Sequence, residues 1–358
     1  MLGLAVLAAC QAVTPAPAGG SAGNSSSTTP PAETRAPVPT APRTPPALPP
    51  IFQSPHLNAL DTPHTYLKDA CEYLHDKWDS GKAEPGTIVL IVMLHSINQG
   101  KAEGSDAMNE GFFARMMNEL HDQQFEAINT QQLADFLEGN AKIPARSVVL
   151  MQDGRRLLEN FDAHFRPYWE KWAWPVVNAW DNRGATTEAL WAQQASLEAE
   201  GWVDHQVYGP TMPAGAEHLT DQYLTDQLQQ PLNDFGTRFE KAPIGIVWPN
   251  GVGVTPAQVA RKLGYRLGFT FNPRGPIMFD WVPLADAADH LRPSYFPEGN
   301  IGDPLMTLPR YWPYQVHDVI DSVRITGKEA AVYARGNRAT ELEYYNVVCA
   351  SEYGAIPG

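Results

Sequence analysis

Between residues 86 and 325 the chain switches repeatedly between two hydrophobic periods. Short, fully apolar runs predict buried strands, and apolar residues spaced three or four apart predict the helices that cover them. GTIVLIVMLHS (86–96) is such a strand. EGFFARMMNELHDQQ follows, with Phe112, Met116 and Leu120 on one face, and then the short strand FEAI. NTQQLADFLEGN is a helix with Asn129 or Thr130 as its cap and Gly139 at its end. The alternation continues through SVVLM, RRLLENFDAHFRPYWEKW, PVVNAW, TTEALWAQQASLEAEG, WVDHQVYG, LTDQYLTDQLQQPLNDFGTRF, IGIVWP, TPAQVARKLGY and RLGFTF. Six or seven such strand–helix units predict a parallel α/β fold, a (β/α) barrel that is complete or partly open. Residues 56–85 predict a helical extension ahead of it, with Leu67, Ala70, Cys71, Leu74 and Trp78 at helical spacing. Residues 326–358 form a tail, and strand-like alternation from Ser322 onward predicts a terminal hairpin.

The opening residues add an address to this body. Residues 1–9, MLGLAVLAA, are small and apolar, and Leu7-Ala8-Ala9-Cys10 resembles the lipobox of bacterial lipoproteins, where the cysteine is lipidated. The other readings are an ordinary short signal peptide or an apolar start without a targeting role. Residues 11–55 are dominated by Pro, Ala, Ser, Thr and Gly, a composition that cannot bury a core and predicts a disordered linker. Together these features predict an exported cell-envelope lipoprotein, held to a membrane through a lipid on Cys10 at a periplasmic or extracellular face. Cys71 and Cys349 remain as an even pair in an oxidising compartment, either bridged or two buried thiols. No Cys or His spacing matches a structural zinc site. The net charge of −14 disfavours nucleic acid and strongly anionic partners.

The chemistry concentrates where VVLMQDGRR (148–156) runs from a buried strand into an acid, a glycine and two arginines. A parallel strand surfaces there, at the sheet edge where α/β folds gather ligands. This stretch, with IVMLHSIN before it and WPNGVGVTPAQVARKLGYRLGFTF and LPR (308–310) after it, resembles the polysaccharide deacetylases of carbohydrate esterase family four, which carry the NodB-homology domain. The layout is most similar to that of the lipid-anchored poly-N-acetylglucosamine deacetylases. The resemblance implies a barrel of the polysaccharide deacetylase type and metal-assisted hydrolysis of an amide on N-acetylated glycan or peptidoglycan. In such a reaction one aspartate takes a proton from a metal-bound water, while a second aspartate and two histidines hold the metal.

Carried onto this chain, the family's base position is Gln152, and the metal ligands are Asp153 and His205. The expected second histidine is replaced by Gly209 and Pro210, and a tyrosine that helps bind the acetyl group by Asn250. His95, Trp248, Asn250 and Arg310 are the implied substrate contacts, and Trp248 and Trp312 the candidates for stacking on sugar rings. A glutamine amide has no basic site near neutral pH, and two ligands are one short of a catalytic zinc site. The resemblance therefore implies a divalent metal, zinc, held weakly at best, and a degenerate enzyme. The alternative is an active deacetylase with a rearranged site, in which His218 or His95 completes the metal shell and Asp204 or Asp181 is the base. A third reading is another reaction class on the same barrel. The plainer readings are an inert His205 at a strand end, an Asp153 that caps the next helix, and Arg155, Arg156 and Arg310 as surface charges or partners of Asp153.

If Cys10 carries lipid, the cell-associated protein partitions with membranes and Cys10→Ala releases it. Stable anchoring takes more than one acyl chain. A wild-type protein recovered wholly in the soluble fraction overturns the anchor.

Overall fold

The structure is a computed structural model that describes residues 43–101, 107–184, 186–210 and 219–358. Cys10, most of the linker and His218 lie outside the described residues. The folded unit begins at Thr44.

The elements follow in order as β1 (Asp61–His64), α1 (Ala70–Trp78), β2 (Ile88–Leu94), β3 (Ser96–Asn98), β4 (Ala107–Asn109), α2 (Glu110–Asp122), β5 (Glu126–Ala127) and α3 (Thr130–Gly139). Next come β6 (Arg146–Asp153), α4 (Leu158–His164), α5 (Arg166–Trp172), β7 (Val176–Trp180), α6 (Glu188–Ala199), β8 (Val203–Tyr208) and α7 (Asp221–Phe239). The chain ends with β9 (Gly245–Val247), α8 (Val254–Lys262), β10 (Leu267–Phe269), β11 (Val282–Ala285), α9 (Pro313–Val348) and α10 (Ala350–Tyr353).

Strands β10-β9-β8-β7-β6-β2 form one curled parallel sheet, a half-barrel of the expected class. Its open side lies between β10 and β2, and the extended stretch Leu308–Tyr311 runs through it. Leu308 bridges in parallel to Phe269 of β10, and Tyr311 to Val92 of β2. The Leu-Pro-Arg segment thus closes the barrel with one bridge on each side.

Period-2 alternation sorts the strand residues between two cores. Val148 and Leu150 of β6 face outward, in a cluster with Phe161 and Phe165 of the α4–α5 region. Val149 and Met151 face inward, with Val177 of β7, Phe269 of β10 and Leu308. Leu133, Phe136 and Leu137 of α3 join this inner cluster, so the barrel interior is packed solid beneath the carboxyl edge. Extending the same parity by two residues aims Gln152 outward and Asp153 inward.

Three expectations change. The tail is not a hairpin: Pro313–Val348 is one helix of 36 residues. Its β-branched residues suggested a strand, but Val316, Ile320, Val323, Gly327, Ala330 and Ala334 are buried at helical spacing. Gly327 lets this helix touch β2, since a Cβ there would sit 2.6 Å from Cγ2 of Ile88. The N-terminal extension is helical only over Ala70–Trp78, and Asp61–His64 pairs antiparallel with β11 instead. The end of the stretch read as linker is packed, with Trp281 Nε1 donating to the Phe52 carbonyl (2.9 Å) and Tyr333 Oη to that of Pro50 (2.7 Å). Among the described residues no helix is long and apolar enough to cross a membrane.

Cys71 and Cys349 are bridged, with Cα atoms 5.4 Å apart across a sequence separation of 278 residues. The bond ties α1 to the end of α9, beside Leu74 and Tyr345. Chain entropy sets an upper stabilisation on the order of 5 kcal/mol for so long a loop. Reductant, or Cys71→Ser with Cys349→Ser, should lower the melting temperature by several degrees. Unchanged melting with two titratable thiols before reduction would mean the bond is absent.

Candidate functional site

Asp153 ends β6 with its carboxylate inside the barrel and 2 % exposed. Arg310, on the closing segment, is equally buried and donates from Nη1 to Asp153 Oδ1 at 2.6 Å. The same guanidinium donates from Nε to the Thr270 carbonyl at 2.7 Å, which fixes it to the end of β10. His95, just beyond β2, places Nε2 3.7 Å from Asp153 Oδ2. Its ring stacks on Trp312, 5.4 Å between centroids, and Trp312 in turn stacks on the exposed Tyr314 at 6.2 Å. Arg156 donates from Nε to the His95 carbonyl (2.8 Å); burial pulls its pKa down and Asp153 opposes that. Tyr208 ends β8 near the same carboxylate; burial pushes its phenol up and Asp153 adds to the effect. It stays a neutral hydrogen-bonding group there.

The other predicted residues are elsewhere. Gln152 is fully buried on the outer face, and its amide donates to the carbonyls of Leu94 (2.9 Å) and His95 (2.6 Å). Register places Gln152 beside Asn178 and Asn178 beside His205, all with one parity. His205 therefore points away from Asp153, and the two strands that carry them are two spacings, roughly 10 Å, apart. Its Nδ1 meets Glu198 Oε2 at 2.8 Å and its Nε2 meets Gln194 Oε1 at 2.9 Å, both on α6. Burial pulls the His205 pKa down, opposed by Glu198; the Glu198 carboxyl falls to about 2 although its own burial works the other way. Lys241 closes the network, 2.7 Å from Glu198 and 2.5 Å from Asp204. His205 is a structural histidine. Asp204, once a candidate base, is held by that lysine and by the Thr130 amide at 2.8 Å.

Trp248 is fully buried and donates from Nε1 to the Met306 carbonyl at 3.0 Å, so it is not a stacking surface. Asn250 is exposed in the turn after β9. Asp181 chelates Arg183, its Oδ1 2.8 Å from Nε and its Oδ2 3.0 Å from Nη2, at the end of β7.

No family model and no curated protein matches the chain. Among solved structures it is similar to the Streptococcus pyogenes deacetylase PplD in complex with acetate, at 17 % identity and TM-score 0.50, over 67 % of this chain and 99 % of that one. It also aligns with IcaB from Ammonifex degensii, at 15 % identity and TM-score 0.47, over 67 % and 98 % of the two chains. The chain has the polysaccharide deacetylase fold.

The metal that such a fold implies does not fit these residues. Asp153 already carries a guanidinium on one oxygen, and His205 is on the far side of the sheet. No group of three or more His, Cys, Asp and Glu side chains forms a metal site among the described residues. At Asp153, which the resemblance gave to a divalent cation, this chain puts Arg310. Parity within a strand supplies part of this from the sequence, since Gln152 is out of phase with Met151 and Asn178 with Val177, whereas the face of His205 follows from register. Tyr314 and Tyr208 carried no motif and were missed.

Removing one member of a buried pair leaves a bare charge and costs about 3–5 kcal/mol, whereas replacing both members with apolar groups costs far less. Arg310→Met should therefore lower unfolding stability by that amount, and Asp153→Leu added to it should recover most of the loss. Urea denaturation of both variants reads this. An Arg310→Met protein as stable as the wild type would show that the pair is not formed.

Proposed function

We propose that this chain is a cell-envelope protein, tethered through a lipid on Cys10, that binds N-acetylated glycan or peptidoglycan on a deacetylase fold without hydrolysing it. The observation that carries the reading is the buried Asp153–Arg310 pair, with Nη1 and Oδ1 2.6 Å apart. Metal-assisted hydrolysis of an acetamide needs a base for the attacking water and a Lewis acid on the carbonyl. Gln152 supplies no base, and its amide is bound to carbonyls on the outer face. Arg310 satisfies the carboxylate that would otherwise hold a cation. What remains at the mouth is the His95–Trp312–Tyr314 stack, an aromatic ledge of the kind that packs against the apolar face of a pyranose.

The second reading, an active deacetylase with a different base, rests on the 3.7 Å approach of His95 Nε2 to Asp153 Oδ2. A carboxylate behind an imidazole orients it as a general base.

Acetate release from chitotetraose, with and without added zinc or cobalt, separates the two. The wild type should release none above background and retain no zinc after dialysis, while isothermal titration shows binding that Trp312→Ala weakens about tenfold, equivalent to about 1.4 kcal/mol. Gln152→Asp should restore nothing, because its side chain leaves β6 on the outer face. Gly209→His, the obvious replacement for the missing ligand, is blocked: a Cβ there would lie 2.7 Å from the Val247 carbonyl oxygen. Chelator-sensitive turnover by the wild type overturns the proposal; chelator-insensitive turnover lost in His95→Gln establishes the second reading.

A further inference from the structure

Beyond the end of β7, between the loop that starts at Asn182 and helix α7, lies a hollow of about 370 Å³. It is separate from the Asp153 pair and from the Trp312 ledge, and none of the motif residues lines it. Asn182, Trp191, Gln227, Gln230, Asp234 and Arg238 do. Its size is at the lower end of the range for small-ligand sites.

Asn182 is 93 % buried, being 7 % exposed, and donates from Nδ2 to Asp234 Oδ2 at 2.8 Å. Its Oδ1 is buried and has no hydrogen-bond partner. The carboxylate decides the orientation of the amide: Asp234 accepts, so the NH2 must face it and the oxygen must face away. A buried acceptor without a donor is unfavourable, and a ligand donor would satisfy it. On the α7 side Gln227 and Gln230 add two more amides, each offering donor and acceptor groups.

The charges argue for a neutral occupant. Arg238 is held by Glu188 through two contacts of 2.6 and 2.7 Å and lies 5.4 Å from the centroid of the Trp191 ring, so it offers no unpaired charge to an anion. Among the described residues Asp234 is the single carboxylate in the hollow and already accepts from Asn182, too few oxygen ligands for a metal. Amides, a carboxylate and two guanidiniums, Arg183 paired with Asp181 and Arg238 with Glu188, combine donors with acceptors. That matches hydroxyl groups, which both donate and accept.

We infer that this hollow is a second carbohydrate subsite, which takes a neutral, hydroxyl-rich pyranose unit through Asn182 Oδ1 and the amides of α7. The inference rests on the glycan-binding reading and adds to it a site outside the barrel mouth. It implies that a long glycan is held at two places, and that a short one has a choice.

The test uses the full-length protein and chitotetraose, with Asn182→Ala, the Gln227→Ala, Gln230→Ala double variant, and Trp312→Ala. Binding is read by isothermal titration, and side-chain amide signals of Asn182, Gln227 and Gln230 by NMR. The subsite predicts that these signals move on titration in Trp312→Ala, and that each hollow variant weakens binding about fivefold or more with unchanged melting temperature. The Gln variants sit on an exposed helix face and keep the fold even where Asn182→Ala does not. If chitotetraose binds, Trp312→Ala abolishes binding and the hollow variants match the wild type, the subsite is overturned and the glycan reading stands. If the wild type shows neither heat nor signal shifts, both fall.

Discussion

A carboxylate and a guanidinium, both sealed from water and 2.6 Å apart, set the character of this molecule. Desolvating two charges is expensive, and their attraction offsets it only when geometry is good and the remaining hydrogen-bonding capacity is used. Arg310 meets that condition by also binding the Thr270 carbonyl at the end of β10. The pair therefore fastens β6 to the closing segment, and the closing segment to the far edge of the sheet. Without Leu308–Tyr311 in the gap, β2 and β10 would face each other with open edges. Arg310, which takes up the carboxylate that the resemblance gave to a metal, is thus also a structural clasp.

A second set of charges, most of them buried, lies in the elements that precede the segment carrying Arg310. Arg274 is buried and joins Asp61 to Glu298, with Nε 3.2 Å from Glu298, and Arg292 binds Asp61 (2.9 Å) and Asp289 (2.6 Å). Burial raises the Glu298 carboxyl to about 7, with Arg274 pulling against it. Asp61 belongs to β1, so the N-terminal extension is tied to Arg274 and Arg292 of the loops after β10 and β11. The disulfide and the packed residues 48–52 bind the same extension to α9. The additions before and after the barrel act as braces, and they carry the disulfide and this second set of ion pairs.

On the outer face a different polar layer runs through Gln152, Asn178 and His205 to Gln194 and Glu198 of α6. Each group has a partner on a neighbouring element, which fixes the helix against the sheet more specifically than apolar packing alone would. This layer absorbs His205, read from the sequence as a metal ligand, and Gln152, which stands at the family's base position. The polar groups of this layer are spent inside the fold, whereas the His95–Trp312–Tyr314 stack and the hollow at Asn182 face outward.

The sequence by itself determined the class of fold, because alternating periods of two and 3.6 residues leave a parallel sheet covered by helices as the solution that buries every apolar face. It also determined that Gln152 is not a base, since that follows from the side chain alone. It left Cys71 and Cys349 open and misjudged the tail, where β-branched residues in Pro313–Val348 favour a strand locally while their buried stripe is helical. Only the tertiary structure decided that Arg310, 157 residues after Asp153, neutralises it, and that His205 faces away. Local pattern reports the period of each segment and the chemistry of each residue. Which side chains meet depends on which face each strand presents and which distant segment fills the gap, and long-range register alone fixes both.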